Sequence, residues 1–222
     1  KGFWRKFDQN KNFPEQAGHE IVSYFNFKTD DGETILIKFA LSAVSTKNAI
    51  ENLNTEIPHW DFEKTKTQAK QKWNVELSKI TIEADDERKV NFYTSMYHSF
   101  MNPIIYNDVN GGYRGLDQNI YKAEGFTNYT IFSLWDTYRA LHPLYTIIQQ
   151  QRTNDIVNSM LAHYEQSVHK ILPIWSHYSN ENWCMIGYHA VPVIVDAYMK
   201  GIRNYDVKKA FDAVLSSSNY DL

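Results

Sequence analysis

The chain has 222 residues, enough for one large or two small domains with a real core. Its 23 Lys and Arg against 26 Asp and Glu give a net charge of −3 with no block of like charges, which argues against a nucleic-acid partner. No apolar run approaches the ~18 residues of a membrane span, and a single cysteine, Cys184, excludes an internal disulfide.

Residues 20–43 predict two strands. Ile21, Ser23, Phe25 and Phe27 alternate with neighbours of mixed polarity, and Asp30-Asp31-Gly32 supplies turn chemistry. Ile35, Ile37, Phe39 and Leu41 then share one face of a second strand over 34–41. An isolated hairpin is marginal in water. These strands are therefore expected to complete a sheet begun before Lys1, and the chain reads as the middle portion of something longer.

After Pro58 the apolar period changes from two to about 3.6. Trp73, Leu77 and Ile80 form one helical stripe; Val90, Tyr93, Tyr97 and Phe100 form another. Residues 102–127, rich in Gly, Asn and Asp, read as a long loop or hairpin, and ordered loops of that length are usually functional. Asp108, Arg114 and Asp117 on it suit either rim contacts or plain solvation. Helices resume with Leu134, Tyr138, Leu141, Tyr145 and Ile148, kinked at Pro143, and then with Ile156, Met160 and Tyr164. Pro192 fits a first helical turn, Gly201 a C-terminal stop, and Asp206 the cap of a last helix through Ala210, Phe211 and Val214. About five short antiparallel helices with long loops between them suggest part of a helical toroid.

Aromatics make up 15% of the chain, with 15 Tyr and 6 Trp, and such a surplus lines ligand clefts as well as cores and interfaces. Two segments set carboxylates among these rings. In the first, Trp135-Asp136 opens a helix. Asp136 is either a helix-start carboxylate beside a core Trp135 or an acceptor for two sugar hydroxyls beside an apolar wall. In the second case Arg139, one turn on, would orient the carboxylate.

In the second segment, Asn180-Glu181-Asn182-Trp183, Glu181 is open to three readings: a general acid, a hydrogen-bonding residue, or a helix-start carboxylate. Apolar faces beside a few polar groups are what a sugar ring requires of its site, so Trp135, Asp136, Glu181 and Trp183 are the candidate substrate contacts. Asp196, inside a helix, reads as structural. His177 and His189 match no metal-binding spacing. Cys184, among Trp183, Met185 and Ile186, is expected to be buried and inert. No Gly-x-Ser-x-Gly, phosphate loop or dinucleotide fingerprint occurs.

Several motifs in order carry a resemblance over most of the chain. They are Phe92-Tyr93-Thr94-Ser95-Met96-Tyr97-His98, Tyr113-Arg114-Gly115-Leu116-Asp117, Leu134-Trp135-Asp136-Thr137-Tyr138-Arg139 and Asn182-Trp183-Cys184-Met185-Ile186-Gly187-Tyr188-His189. With these the sequence resembles glycoside hydrolase family 92, the calcium-dependent, exo-acting, inverting α-mannosidases.

The resemblance implies an α+β, mostly α chain: the end of a β-sandwich over 1–56, a linker helix over 57–84, and the first part of an (α/α)6 toroid over 85–222. It implies that Asp136 bonds the nonreducing mannose of a glycan, with Trp135 beside it. The family's general acid lies in Glu-Gly-Asn-x-Trp, its base in Gly-Asn-Asp, and its calcium near Asn-Glu-Pro. None of these motifs is present, and the resemblance places them beyond Leu222. No catalytic residue and no metal ligand is therefore assigned here, and Glu181 is kept as a subsite contact. Activity of the α-1,2 type, a periplasmic, cell-surface or secreted location, and self-association of the chain when isolated complete the expectations. A non-catalytic carbohydrate-binding module and a purely structural helical domain are the other two readings.

Overall fold

The computed structural model describes residues 2–5, 8–11 and 18–220. Lys1 and Leu222, the outer limits of the domains expected from the sequence, lie outside the described residues. The chain divides into two compact units, Lys1–Ile37 and Lys38–Leu222.

In the first unit, β1 (Gly2–Arg5), β2 (Asp8–Lys11) and β3 (Ile21–Tyr24) form an antiparallel sheet of order β2-β1-β3. Trp4 lies opposite Val22, and Phe3 opposite both Ser23 and Asn10. The strand expected at Ile21 therefore forms, and it pairs with residues 2–5 of this chain. The turn after it also forms: Gly32 takes φ +77° and the Glu33 N–H donates to the Asp30 carbonyl at 3.2 Å. The second strand does not. Residues 33–41 join no ladder, and Ile35, Ile37, Phe39 and Leu41 are all exposed. Alternation supplies a face, but a strand also needs a ladder to join, and 34–41 pairs with none of the described strands.

The second unit starts with a helix absent from the sequence expectations, α1 (Thr46–Glu56), capped by the Ser45 hydroxyl accepting the Asn48 N–H at 3.1 Å. Next come α2 (Phe62–Leu77) and α3 (Asp86–Ser99), each begun by an aspartate, Asp61 and Asp85, that accepts a third-residue N–H at 2.9 Å. Trp73, Leu77 and Ile80 pack on the core, Ile80 from just past the helix end.

The Gly-rich stretch is a set of short ribbons. β4 (Ile104–Ile105) pairs with β7 (Tyr129–Thr130), and β5 (Gly112–Arg114) with β6 (Ile120–Lys122). Asp108, read from the sequence as a rim or solvated charge, is instead buried. Its carboxylate accepts from Ser42 Oγ at 2.7 Å, Asn48 Nδ2 at 2.8 Å and Asn52 Nδ2 at 2.7 Å, tying α1 to the turn before β5. Three donors offset its desolvation.

The helical run expected from Leu134 to Ile148 splits into α4 (Leu134–Thr137) and α5 (Leu141–Ile148). Pro143 does not kink a continuous helix. It sits in the first turn of α5, where a missing N–H leaves no bond unmade. α6 (Gln150–Gln166) follows, then a hairpin of β8 (Ser176–His177) and β9 (Asn180–Glu181), then α7 (Ala190–Met199) and α8 (Val207–Ser218). Gly201 ends α7 at φ +83°, and Asp206 caps α8 through the Lys209 N–H at 2.9 Å, as the sequence predicts.

α6 runs through the middle, against α5, α7, α8 and β7. Its Ile156, Val157 and Met160 have no exposed surface, nor do Leu134, Tyr145, Ala190, Ala197 and Ala213. Complete burial of each larger side chain contributes roughly 1.5–3 kcal/mol. Arg152 enters this core by stacking: its guanidinium lies 5.7–5.8 Å from the ring centres of Phe100, Tyr129 and Tyr145.

Two imidazoles are enclosed in the same core. Burial pushes His142 down to about 4 and does the same to His163. Both folded values lie below the ordinary histidine value near 6.5, so each ring stabilises the fold above that pH, and the contribution is lost as pH falls through about 4. Each ring is worth at most about 3 kcal/mol by linkage. Urea midpoints should therefore drop steeply between pH 7 and pH 4. His142→Leu, which also removes a buried Nε2 without a hydrogen-bond partner, should flatten that dependence.

Candidate active-site edge

α4 is a single turn. Its N-cap, Ser133, makes no side-chain capping bond. The Ser133 hydroxyl instead donates to the Asp136 carboxylate, the only hydrogen bond that carboxylate receives among the described residues. Asp136 is exposed, with Oδ1 free. It lies in the first turn of α4, as the helix-start reading has it, but its carboxylate caps no backbone N–H. Trp135 beside it is 36% exposed rather than a core residue. Arg139 does not orient Asp136. Its guanidinium lies 4.5 Å from the Trp135 ring centre and 5.1 Å from that of Tyr138, and Nη2 donates to the Trp135 carbonyl at 2.9 Å. An aromatic face attracts a guanidinium without needing a counter-charge.

The second segment is stitched to the first. The Phe132 N–H donates to the Ser176 carbonyl at 3.0 Å, the Tyr178 N–H to Thr130 Oγ1 at 2.7 Å, and the rings of Tyr138 and His189 stack at 4.3 Å and 4°. Among the described residues, four of the seven non-glycine positions with positive φ flank this junction: Ile131, Tyr178, Trp183 and Met185. Such backbone costs about 1–3 kcal/mol per residue and collects at functional sites. A β-branched residue such as Ile131 is there only when its surroundings force it.

Glu181 occupies the middle of the loop with a side chain 7% exposed. It accepts the N–H groups of Ile174 at 3.0 Å, Trp175 at 2.8 Å and Trp183 at 3.0 Å. It lies on β9, not at a helix start. His163 Nε2 is 3.5 Å away, too far for a strong bond. That imidazole is held neutral by burial. Of the histidines, the sequence singled out only His177 and His189; His163 was missed, although it shares a helical face with Ile156 and Met160.

Trp183 is 40% exposed and meets His169 edge-on at 5.2 Å; His169 Nδ1 in turn bonds the Tyr220 hydroxyl at 2.6 Å. Among the described residues no hydrogen bond or ring contact joins Trp183 to Trp135 or Asp136. The four candidates thus form two exposed points, Trp135 with Asp136 and Trp183, on either side of the junction, with Glu181 holding the loop between them. Cys184 is exposed, contrary to expectation, because residues 182–188 form an open loop with no helix to bury its apolar members. A cavity of about 1150 Å³ lies between α1, α2 and β4, and neither Trp135 nor Asp136 lines it. Among the described residues no three His, Cys, Asp or Glu stand together as a group that could hold a metal ion.

Residues 48–221, from α1 through α8, match the model of the glycosyl hydrolase family 92 catalytic domain. The chain belongs to glycosyl hydrolase family 92. It superposes on a family GH92 α-mannosidase from Bacteroides thetaiotaomicron with a TM-score of 0.79 and 50% identity, covering 82% of this chain and 24% of that one. That enzyme has also been solved in complex with mannoimidazole, and there the match is 52% identical. A family GH92 inverting mannosidase from the same organism matches at 30% identity and a TM-score of 0.72, over 78% of this chain and 23% of that one. An uncharacterized secreted glycosidase of Arthroderma benhamiae is 26% identical over 90% of this chain and 22% of its own length. The chain therefore spans about a quarter of the family 92 proteins it matches.

The Glu181 arrangement gives a direct test of the loop. Glu181→Ala would leave three N–H groups without an acceptor, at about 1–3 kcal/mol for each that stays buried. It should lower the unfolding midpoint by a total of several kcal/mol. Glu181→Gln keeps one oxygen and should lose about 1–2 kcal/mol. Urea titrations of both variants check the order.

Proposed function

We propose that this chain supplies the sugar-holding edge of a family 92 exo-acting, inverting α-mannosidase, with Asp136 and Trp135 receiving the nonreducing mannose of a glycan. The observation that carries this is the free Asp136 oxygen on an exposed turn beside an exposed Trp135. A carboxylate can take two adjacent hydroxyls while the indole covers the apolar face of the ring. Membership of the family, the α-mannosidase neighbours and the mannoimidazole complex of one of them support it. Trp183 is assigned a contact with a more distant part of the glycan, and Glu181 acts through the loop that carries it. The α-1,2 linkage belongs to the same proposal.

An inverting hydrolase needs an acid and a base ~6.5–9.5 Å apart with a water between them. We assign that pair, and any calcium, to parts of the enzyme other than these residues. Residues 1–56 would be the end of a β-sandwich, 57–84 a connecting helix and 85–222 the first part of an (α/α)6 toroid. The secreted relative favours a location outside the cytoplasm, and no helix among the described residues is long and apolar enough to cross a membrane. The competing reading, a non-catalytic carbohydrate-binding module, predicts binding without turnover in every context.

Asp136→Ala in the complete enzyme removes a charged acceptor worth ~1.5–3 kcal/mol, so kcat/KM on an α-mannobiose should fall by about one to two decades. The melting temperature should hardly move, since only the Ser133 bond is lost. Unchanged kinetics would eliminate the role. The 222-residue chain alone should release no mannose. It should also self-associate through Phe25, Phe27, Phe39 and Leu41, which are 55–82% exposed; a monodisperse monomer in light scattering would refute that.

A further inference from the structure

The geometry points to His189 as a positioning residue for the α4 tip, an inference that rests on the sugar-binding reading of Asp136 and Trp135. A helix of four residues cannot support itself, because nucleation fixes several dihedrals for a single bond. With no side-chain cap at Ser133, the direction of the tip depends on what grips its two ends. Leu134, fully buried, anchors the start. At the other end Tyr138, the first residue past the helix, carries the His189 ring flat against it at 4.3 Å and 4°. The Arg139 guanidinium lies against both the Tyr138 and Trp135 rings. His189, Tyr138, Arg139 and Trp135 therefore form one series of stacked groups, running from the loop to the presumed wall of the sugar site.

Gly187 lies against the Nε2 end of the His189 ring. Its φ is +87°, and a Cβ there would lie 2.9 Å from His189 Nε2 and 3.0 Å from Cε1. Glycine is required on both counts. His189 Nε2 is itself buried without a hydrogen-bond partner, so the flat face of the ring, not Nε2, is what this packing uses.

The test is a set of variants in the complete enzyme, assayed on an α-mannobiose with melting temperatures measured alongside. His189→Leu should raise KM about tenfold, the effect of one ring pair, with a smaller change in kcat. Tyr138→Leu should do the same. The double variant should be no worse than the worse single one, because both remove the same stack. Gly187→Ala, which keeps both rings but displaces the imidazole, should reproduce the KM effect and serves if His189→Leu does not fold. Wild-type KM in His189→Leu or Gly187→Ala, or fully multiplicative effects in the double variant, would overturn the inference. Asp136→Ala is the control. If it leaves kinetics intact, the sugar-binding reading fails; if it impairs them while the His189 variants do not, only this inference fails.

Discussion

Three backbone N–H groups converge on one enclosed carboxylate, and the functional edge of the molecule depends on that convergence. A buried carboxylate without partners is several kcal/mol out of place. Glu181 avoids this by accepting from Ile174, Trp175 and Trp183, positions on both sides of its own hairpin. The same three bonds satisfy N–H groups of an irregular segment that has no long ladder to use. Charge compensation and loop shape are thus one arrangement. Trp183 can sit at φ +54° with its indole outward because its own N–H is fixed from inside.

Asp108 solves the same problem in a second place. It gathers Ser42, Asn48 and Asn52 from two segments and joins α1 to the Gly-rich ribbon. The apolar core is built around α6. The division suits the sequence: helices bury stripes of Ile, Val, Met and Tyr, while the loops that build the edge are held by single enclosed carboxylates rather than by apolar area.

What was legible in the sequence follows from this. Helices with a strong apolar period and a capping aspartate, such as α8 behind Asp206, could be read almost to the residue. α1 could not, because Thr46–Glu56 carries few apolar side chains and owes its place to Asn48 and Asn52 bonding Asp108, 60 and 56 residues away. The strand at 34–41 had the right alternation but joins no ladder, and pairing is something no local pattern records. At the site, composition drew attention to Trp135, Asp136, Glu181 and Trp183, yet it could not say which carboxylate faces outward. That depends on long-range donors: Glu181 has three and turns in, whereas Asp136 has one hydroxyl and stays open. Arg139 was misread because a carboxylate three residues away seemed its natural partner, and two ring faces proved closer.

The shortness of α4 also has a consequence for motion. Its few backbone bonds, from Asp136 and Thr137 to Ser133 and from Tyr138 to Leu134, have no further helical turn to back them. Amides in such a turn open together with whatever braces it, as one local unfolding unit rather than residue by residue. Because Tyr138 leans on the 182–189 loop, that loop and the tip share one opening event. The two exposed points, Trp135 with Asp136 and Trp183, are then gained or lost together.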